Sequence, residues 1–253
     1  MTRVAVSPGL WTRQYHPRPE APARIFCFPH AGGSASSFHP MSASLAAAQL
    51  DVVCLQYPGR QDRLGEPCVD DLHELADRVV AEIEPWLDRP VLLFGHSMGA
   101  TVAFEVALRM EHDLGIVPRA AFFSGRRAPS VRREGALVDL ESDEALLREI
   151  RSLGGTDARF LDDEGVREMI LPAIRGDFRA VQGYRPSGRS VLSCPVRVLT
   201  GDGDPKTTVA EAEAWSGHTT GPCEVRVFRG DHFFLADHLP EITRLVAEAA
   251  ALG

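Results

Sequence analysis

The chain has 253 residues, of which 44% are hydrophobic and 25% are charged, as is usual for a globular protein with one large core. Its formal net charge of −8 argues against nucleic acid as the main partner. The sequence contains neither an apolar run of roughly 18 residues, which a membrane span needs, nor a secretory signal pattern, so we expect a cytoplasmic protein without a membrane anchor.

Strands and helices alternate along the first half of the chain. Residues 23–28 predict a buried strand that runs into a Gly-Gly turn, and residues 50–57 predict the next strand. Apolar residues recur at helical spacing over residues 71–87, which predicts an amphipathic helix. A further strand is expected at residues 119–124. This alternation indicates an α/β fold with a parallel, doubly wound sheet and a ligand crevice at the carboxyl ends of the strands.

Residues 90–110 predict a strand, a sharp turn and a helix in succession. The turn reads Gly-His-Ser-Met-Gly, with Gly95 and Gly99 two residues on either side of Ser97. A nucleophile elbow needs small residues where the strand and the helix crowd together, and its strained turn lifts the serine hydroxyl clear of the sheet. Such a pentapeptide alone is only a structural turn in most sequences. The strand before it and the helix after it favour Ser97 as a nucleophile.

A serine hydrolase of this kind stabilises the oxyanion with two backbone donors. One comes from a loop after an early strand, and the other belongs to the residue that follows the nucleophile. The Gly-Gly turn after residues 23–28 and the elbow therefore nominate the N–H groups of Ala31 and Met98. The alternative for the first turn is an ordinary connection between a strand and a helix.

The pattern changes between residues 125 and 186, where no strand-like run occurs and the charge density is high. Two helices are predicted there, at residues 142–153 and 162–184. An all-helical insertion between two strands of the sheet is expected to sit over the strand ends. We interpret it as a lid within one domain that covers residues 1–253.

The alternation then resumes with strands at residues 194–200 and 223–228, each followed by a helix. These helices are predicted near residues 209–215 and at residues 240–252. Two strand ends therefore return to the crevice after the insertion. They are the places where the remaining catalytic groups are expected.

A serine hydroxyl needs a base, and the base needs an orienting acid, in the chain order serine, acid, histidine on this fold. Asp202 and Asp204 both follow the strand at residues 194–200. We favour Asp204, which lies further out beside the stiffening Pro205, while Asp202 stays the alternative and would otherwise cap the turn. His232 is the predicted base because it lies in a glycine-containing loop directly after the last strand.

Five motifs are spread over nearly the whole chain. They are Phe-Pro-His-Ala-Gly-Gly at residues 28–33, Tyr-Pro-Gly-Arg at 57–60, Gly-His-Ser-Met-Gly at 95–99, Gly-Asp-Gly-Asp-Pro at 201–205 and Gly-Asp-His-Phe-Phe at 230–234. Together they resemble the type II thioesterases that serve polyketide and nonribosomal peptide synthases, which have the α/β-hydrolase fold. The resemblance implies a triad of Ser97, Asp204 and His232, with Ala31 and Met98 as oxyanion amides.

The resemblance also implies a reaction, the hydrolysis of acyl thioesters on the phosphopantetheine arm of an acyl or peptidyl carrier protein. It would remove stalled or aberrant acyl groups. No cofactor is implied, and five scattered cysteines indicate neither a disulfide framework nor a metal site. The alternatives are a carboxylesterase or a medium-chain fatty acyl thioesterase on the same fold and, from another class, a non-catalytic binding protein.

Carrier proteins are acidic in general and the arm bears a phosphate, so an acidic enzyme needs a local basic patch to bind one. The predicted docking residues are the arginines at the start of the insertion, joined by two earlier ones: Arg126, Arg127, Arg132, Arg133, Arg60 and Arg63. The alternative is that these residues form an ordinary solvated surface.

Overall fold

The computed structural model describes residues 9–133, 137–154, 161–188 and 190–251. Within these ranges the strands are β1 Thr12–Arg13, β2 Ala23–Phe28, β3 Leu50–Leu55, β4 Val91–His96, β5 Ala120–Ser124, β6 Val196–Gly201 and β7 Cys223–Phe228. They form one sheet in the order β1-β3-β2-β4-β5-β6-β7. β1 runs antiparallel to β3, and the other neighbouring pairs are parallel.

Helices cover both faces of this sheet. They are α1 His39–Ala47, α2 Leu72–Ile83, α3 Met98–His112, α4 Asp143–Leu153, α5 Glu164–Gly183, α6 Val209–Glu213 and α7 Leu239–Ala251. Every residue of β2, β3, β4 and β5 is buried, as expected for central parallel strands with helices on both sides. β4 lies near the middle of the sheet, so the turn that follows it opens at the centre of the crevice.

Two apolar cores lie on opposite faces of the sheet. One contains Phe26 and Phe28 of β2 and packs against α2 and α3, and the other contains Ile25 and Cys27 and packs against α1 and α7. This alternation along β2 follows from the two-residue repeat of a strand. A third, smaller cluster joins α4 and α5 through Leu146, Leu147, Ile150, Leu161, Leu171 and Ile174.

Local sequence accounts for where the helices begin. Asp71, Ser142 and Asp163 precede α2, α4 and α5, and each side chain accepts a hydrogen bond from a backbone N–H of the first turn. The helix predicted over residues 71–87 ends earlier, at Ile83, and continues as a 3-10 turn, Glu84–Trp86, because Pro85 cannot extend the ladder of the helix.

The predicted α/β fold with a helical insertion is confirmed. The sequence did not predict β1, which has only two residues, or α1, whose serines and alanines show little amphipathic character. None of the helices in the described ranges combines the length and the apolar character needed to cross a bilayer.

Candidate active site

Ser97 stands between the end of β4 and the start of α3, with φ 54° and ψ −117°. This left-handed backbone conformation is strained for a residue with a side chain. The flanking glycines are required by close packing: a Cβ on Gly95 would overlap the backbone of Gly99, and one on Gly99 would overlap the carbonyl oxygen of Phe28. The backbone N–H of Ser97 donates to Ser124 O at 2.8 Å, which ties the turn to β5.

Three polar side chains meet at this turn. His232 Nε2 lies 2.9 Å from Ser97 Oγ, and His232 Nδ1 lies 2.9 Å from Asp204 Oδ2. A carboxylate can only accept, so Nδ1 carries the hydrogen and Nε2 is left to accept from the serine hydroxyl. His232 and Asp204 are both buried, while Ser97 is partly exposed to the cavity. The hydroxyl is thus linked through one imidazole to a shielded carboxylate.

The two aspartates after β6 have different partners. Asp204 Oδ1 accepts from the backbone N–H of Lys206 at 2.7 Å, which leaves Oδ2 facing His232. Asp202 is exposed, and its Oδ1 accepts from the backbone N–H of Gly230 at 2.9 Å. Asp202 therefore ties two loops together, and Asp204 is the carboxylate within reach of the imidazole.

Two further histidines, His30 and His96, lie beside His232. The His96 ring centroid is 5.1 Å from that of His232 and 5.9 Å from that of His30. Burial, then His232 and Arg60, lowers the pKa of His30 to about 4. Burial, then His232 and His30, lowers the pKa of His96 well below its ordinary value. Both rings are therefore neutral near pH 7, and His232 has no permanently charged imidazole beside it.

The loop after β2 brings Ala31 to the wall of the same cavity as Ser97, and Met98 lines it from the first position of α3. A first helical residue has no intrahelical acceptor for its N–H. Within the part of the chain that the structure describes, no group accepts from the N–H of Ala31. The next amide, of Gly32, donates to Asp177 Oδ2 at 2.7 Å. Two backbone donors are thus left for a ligand beside the serine.

Asp177 of α5 also binds Arg60. The two guanidinium nitrogens of Arg60 donate to the two carboxylate oxygens at 2.6 and 2.8 Å, and both side chains are buried. Arg60 Nη1 further donates to Gly33 O at 3.2 Å. This ion pair therefore joins the insertion to the loop that carries Ala31.

The same contacts correct part of the predicted docking surface. Arg60 is 6% exposed and Arg63 is 4% exposed. Arg63 donates twice to Glu66, at 2.8 and 2.6 Å, and its guanidinium lies 4.3 Å from the centre of the Trp11 ring. The prediction that these two arginines face a carrier protein is therefore wrong, since both hold loops together from the inside.

Comparison with known proteins agrees with this geometry. The sequence model of the thioesterase domain family matches residues 23–249.

The chain belongs to the thioesterase family.

Thioesterase PikA5 of Streptomyces venezuelae is 46% identical over 246 residues, which cover 96% of this chain and 86% of that protein. The probable cadicidin biosynthesis thioesterase of Streptomyces griseus is 50% identical over 239 residues, and the match covers 94% of this chain but only 65% of that longer relative. The prediction of a thioesterase is thereby confirmed.

A solved structure supports the same assignment. The type II thioesterase BorB from the borrelidin biosynthetic cluster superposes with a TM-score of 0.89 at 47% identity, covering 97% of this chain and 99% of that chain. The resemblance of the motifs to type II thioesterases is confirmed at the level of the family and the fold.

The thioesterase has a cavity of about 300 Å³ in front of Ser97. Its apolar wall is formed largely by the insertion, through Leu137, Val138, Leu153, Phe178 and Val181, together with Phe233 beside the histidine. Charged side chains also reach it. Lys206 forms an ion pair with Glu149, and Arg133 with Glu211, so these two cations are neutralised. Arg126 and Arg127 line the cavity as well.

Asp177 is the residue of this region that sequence reasoning missed. It lies three residues after Ile174 and four before Val181, on the apolar stripe of the predicted helix. An acid at such a position needs a buried partner, because an isolated buried carboxylate is costly. That signal marks Asp177 as unusual, although the sequence does not show that its partner is Arg60.

Proposed function

We propose that this chain is a type II thioesterase that hydrolyses acyl thioesters on the phosphopantetheine arm of acyl or peptidyl carrier proteins. The observation that carries the proposal is the chain of 2.9 Å contacts from Ser97 through His232 to Asp204, in a thioesterase fold. Removal of stalled or aberrant acyl groups in polyketide or nonribosomal peptide synthesis is the role that fits such an enzyme. A cytoplasmic location stays a prediction.

The first half of the reaction acylates Ser97. Its Oγ attacks the thioester carbonyl while His232 Nε2 takes the hydroxyl proton, and the Asp204 carboxylate stabilises the imidazolium that forms. The N–H groups of Ala31 and Met98 stabilise the oxyanion of the tetrahedral intermediate. When the carbon–sulfur bond breaks, the proton passes from His232 to the departing sulfur, which leaves as the free thiol of the arm.

The second half returns the enzyme to its starting state. His232 Nε2 takes a proton from a water molecule, whose oxygen attacks the acyl carbonyl on Ser97. The same two amides stabilise the second oxyanion. Breaking of the ester bond then returns the proton to Ser97 Oγ and releases the free acid, so that one water is consumed per thioester.

The insertion supplies the acyl pocket. Phe178 and Val181 of α5, with Leu153 of α4, present apolar surface to the cavity that holds Ser97. Burying an acyl chain against such surface is favourable by about 25 cal/mol per Å². We propose that α4 and α5 act as the predicted lid and that the depth of this pocket sets the preferred acyl length.

Of the predicted docking arginines, Arg132 and Arg133 are exposed, where an acidic carrier can reach them. Arg132 is exposed, and within the described ranges no hydrogen bond or ion pair occupies its guanidinium. Arg133 is also exposed and pairs with Glu211. Charge-assisted contacts contribute about 1.5–3 kcal/mol each, so Arg132→Glu should lower the ratio of carrier to small-thioester hydrolysis at least about tenfold. An unchanged ratio, as expected for the control Arg244→Glu, would reject this surface.

The function is tested by comparing substrates of different classes. We expect a higher kcat/KM on an acyl carrier protein than on a simple oxygen ester with the same acyl group, and no activity on either in Ser97→Ala. Preference for the oxygen ester would indicate a carboxylesterase. No turnover of any acyl group, with no covalent labelling of Ser97, would indicate a non-catalytic binding protein.

A further inference from the structure

A second cavity, of about 190 Å³, adjoins the one in front of Ser97. Its polar lining is dominated by arginine: Arg126, Arg127, Arg132, Arg133 and Arg185. Among the described residues that line it, none is an aspartate or a glutamate. In a chain with a net charge of −8, this concentration of positive charge is local.

These guanidinium groups differ in whether the protein supplies them with hydrogen-bond acceptors. Arg133 donates to both carboxylate oxygens of Glu211, at 2.7 and 2.6 Å. Arg185 donates to the carbonyl oxygens of Gln182 and Tyr184 at 3.1 and 2.7 Å. The guanidinium groups of Arg126 and Arg127, by contrast, donate to no acceptor in the described parts of the chain. Both side chains are only partly exposed.

The charge on this pair is therefore poorly compensated. Burial, followed by the repulsion of Arg127, lowers the pKa of Arg126 to about 10. Burial and then Arg133 also lower the pKa of Arg127. Both groups stay charged at neutral pH, but they repel one another in a partly desolvated place. An oxyanion bound between them would offset this repulsion and the loss of solvation. The planar guanidinium group can donate two parallel hydrogen bonds to a carboxylate or a phosphate.

The position of Arg126 and Arg127 indicates what kind of anion they bind. Arg126 and Arg127 line both cavities, as do Val181 and Gln182 of α5. The two spaces thus adjoin at these residues, so a group bound at the arginines can belong to the same molecule whose carbonyl lies at Ser97. A substrate anion fits this arrangement better than an independent effector.

We propose that Arg126 and Arg127 form a subsite for an oxyanion that the substrate carries in addition to its thioester. This subsite rests on the proposed function and deepens it. Two parts of such a substrate can supply the group: the phosphate of the phosphopantetheine arm, or a carboxylate at the far end of the acyl chain. Both present oxygen atoms that a pair of guanidinium groups can bind bidentately.

Two matched pairs of small substrates separate these sources. Pentanoyl-phosphopantetheine and pentanoyl-pantetheine differ only in the phosphate. Glutaryl and pentanoyl thioesters of N-acetylcysteamine differ only in the terminal carboxylate. The measured quantity is the ratio of kcat/KM values within each pair, so that any general loss of activity in a variant cancels.

In the wild type we expect the anionic member of one pair to be preferred about tenfold or more, the size of one charge-assisted contact. A preference in the first pair assigns the subsite to the arm, and one in the second pair assigns it to the acyl group. Arg126→Gln and Arg127→Gln should each reduce that ratio towards one. The control Arg244→Gln, at an exposed arginine of α7 that pairs with Glu248, should leave it unchanged.

Equal turnover within both pairs by the wild type would overturn the subsite, and this comparison needs no variant to fold. A preference that survives in both glutamine variants would overturn it as well. Arg126→Lys should keep part of the preference, because lysine keeps the positive charge but lacks the planar guanidinium group that binds an oxyanion bidentately. If the neutral thioesters are hydrolysed in a Ser97-dependent way while no anion is preferred, the proposed function stands and the subsite alone fails. Absence of hydrolysis in every substrate would instead reject the proposed function.

Discussion

The carboxylate of Asp177 accepts a hydrogen bond from the backbone N–H of Gly32, with 2.7 Å between Oδ2 and the nitrogen. The same oxygen accepts from Arg60 at 2.6 Å. A residue of α5, in the insertion, therefore holds the loop in which the neighbouring residue, Ala31, lines the cavity of Ser97. The position of one proposed oxyanion donor thus depends on a helix that is distant in sequence.

Asp177→Asn should be strongly destabilising. It leaves the buried Arg60 guanidinium without its counter-ion, which typically costs about 3–5 kcal/mol. The matched control is Asp143→Asn, which breaks an ion pair between exposed Asp143 and Arg175 and should cost less than about 1 kcal/mol. Urea unfolding of both variants measures the difference. Equal losses of unfolding free energy in the two variants would show that the buried pair of Asp177 and Arg60 contributes no more to stability than the exposed pair.

The same variant should also lower kcat more than it raises KM. An oxyanion donor acts mainly in the transition state, and a displaced donor reduces kcat by up to about 10²–10³. Steady-state kinetics under conditions in which Asp177→Asn is folded test this. If the folded variant keeps the wild-type kcat, the link from α5 to the oxyanion loop has no catalytic role.

Gly32→Ala tests the loop from its other side. Gly32 has φ +74°, and a Cβ there would stand 2.7 Å from Ile174 Cγ1 of α5. The backbone strain alone costs about 1–2 kcal/mol, and the contact adds to it. We expect lower stability and lower kcat. Gly65→Ala is the control, since a Cβ at Gly65 meets nothing within 4 Å. Comparable behaviour of the two variants in unfolding and kinetics would contradict this packing.

Asp204→Asn and Asp202→Asn should separate the two aspartates. An amide at position 204 no longer holds the imidazole of His232 in the required tautomer, so kcat should fall by about 10⁴. Asp202→Asn keeps an oxygen that can accept from the Gly230 N–H, and its side chain does not contact His232, so kcat should stay close to that of the wild type. The kcat of the two variants and of the wild type on one small thioester measures this difference. A larger loss in Asp202→Asn would transfer the orienting role to that residue.

Stability should fall as the pH is lowered because of His30. Its pKa is about 4 in the folded chain against an ordinary 6.5, so the unfolded state binds more protons between these values. The free energy of unfolding therefore decreases from about pH 6.5 to about pH 4, by at most about 3.4 kcal/mol from this residue. His96 acts in the same direction.

His30→Gln removes this proton linkage. Urea unfolding at a series of pH values should give a shallower decrease for the variant than for the wild type over the same window. Parallel curves would show that His30 is not the group responsible.

The elbow and the strands could be predicted because their causes are local. Gly95 and Gly99 are needed by atoms a few residues away or in the neighbouring strand, and buried parallel strands are short apolar runs. Arg60 could not be placed in this way. A charged side chain gives no local sign of burial, and its partner Asp177 is 117 residues further along the chain. The pair exists only because the insertion folds back over the first loop.

The arginines of the insertion show the same limit. Arg126, Arg127, Arg132 and Arg133 look alike in the sequence as two Arg-Arg pairs. In the structure Arg126 and Arg127 are partly buried, whereas Arg132 and Arg133 are exposed, and all but Arg132 line the cavity of Ser97. Charge was predictable, but exposure and counter-ions depend on which elements pack together.

The central claim is that Ser97 is a nucleophile activated by His232. It is tested most directly by treating the protein with a serine-directed fluorophosphonate and locating the adduct by mass spectrometry. We predict a single adduct on Ser97, formed much more slowly in His232→Ala and absent in Ser97→Ala. An adduct on a different residue, or full thioester hydrolysis by Ser97→Ala, would contradict the account.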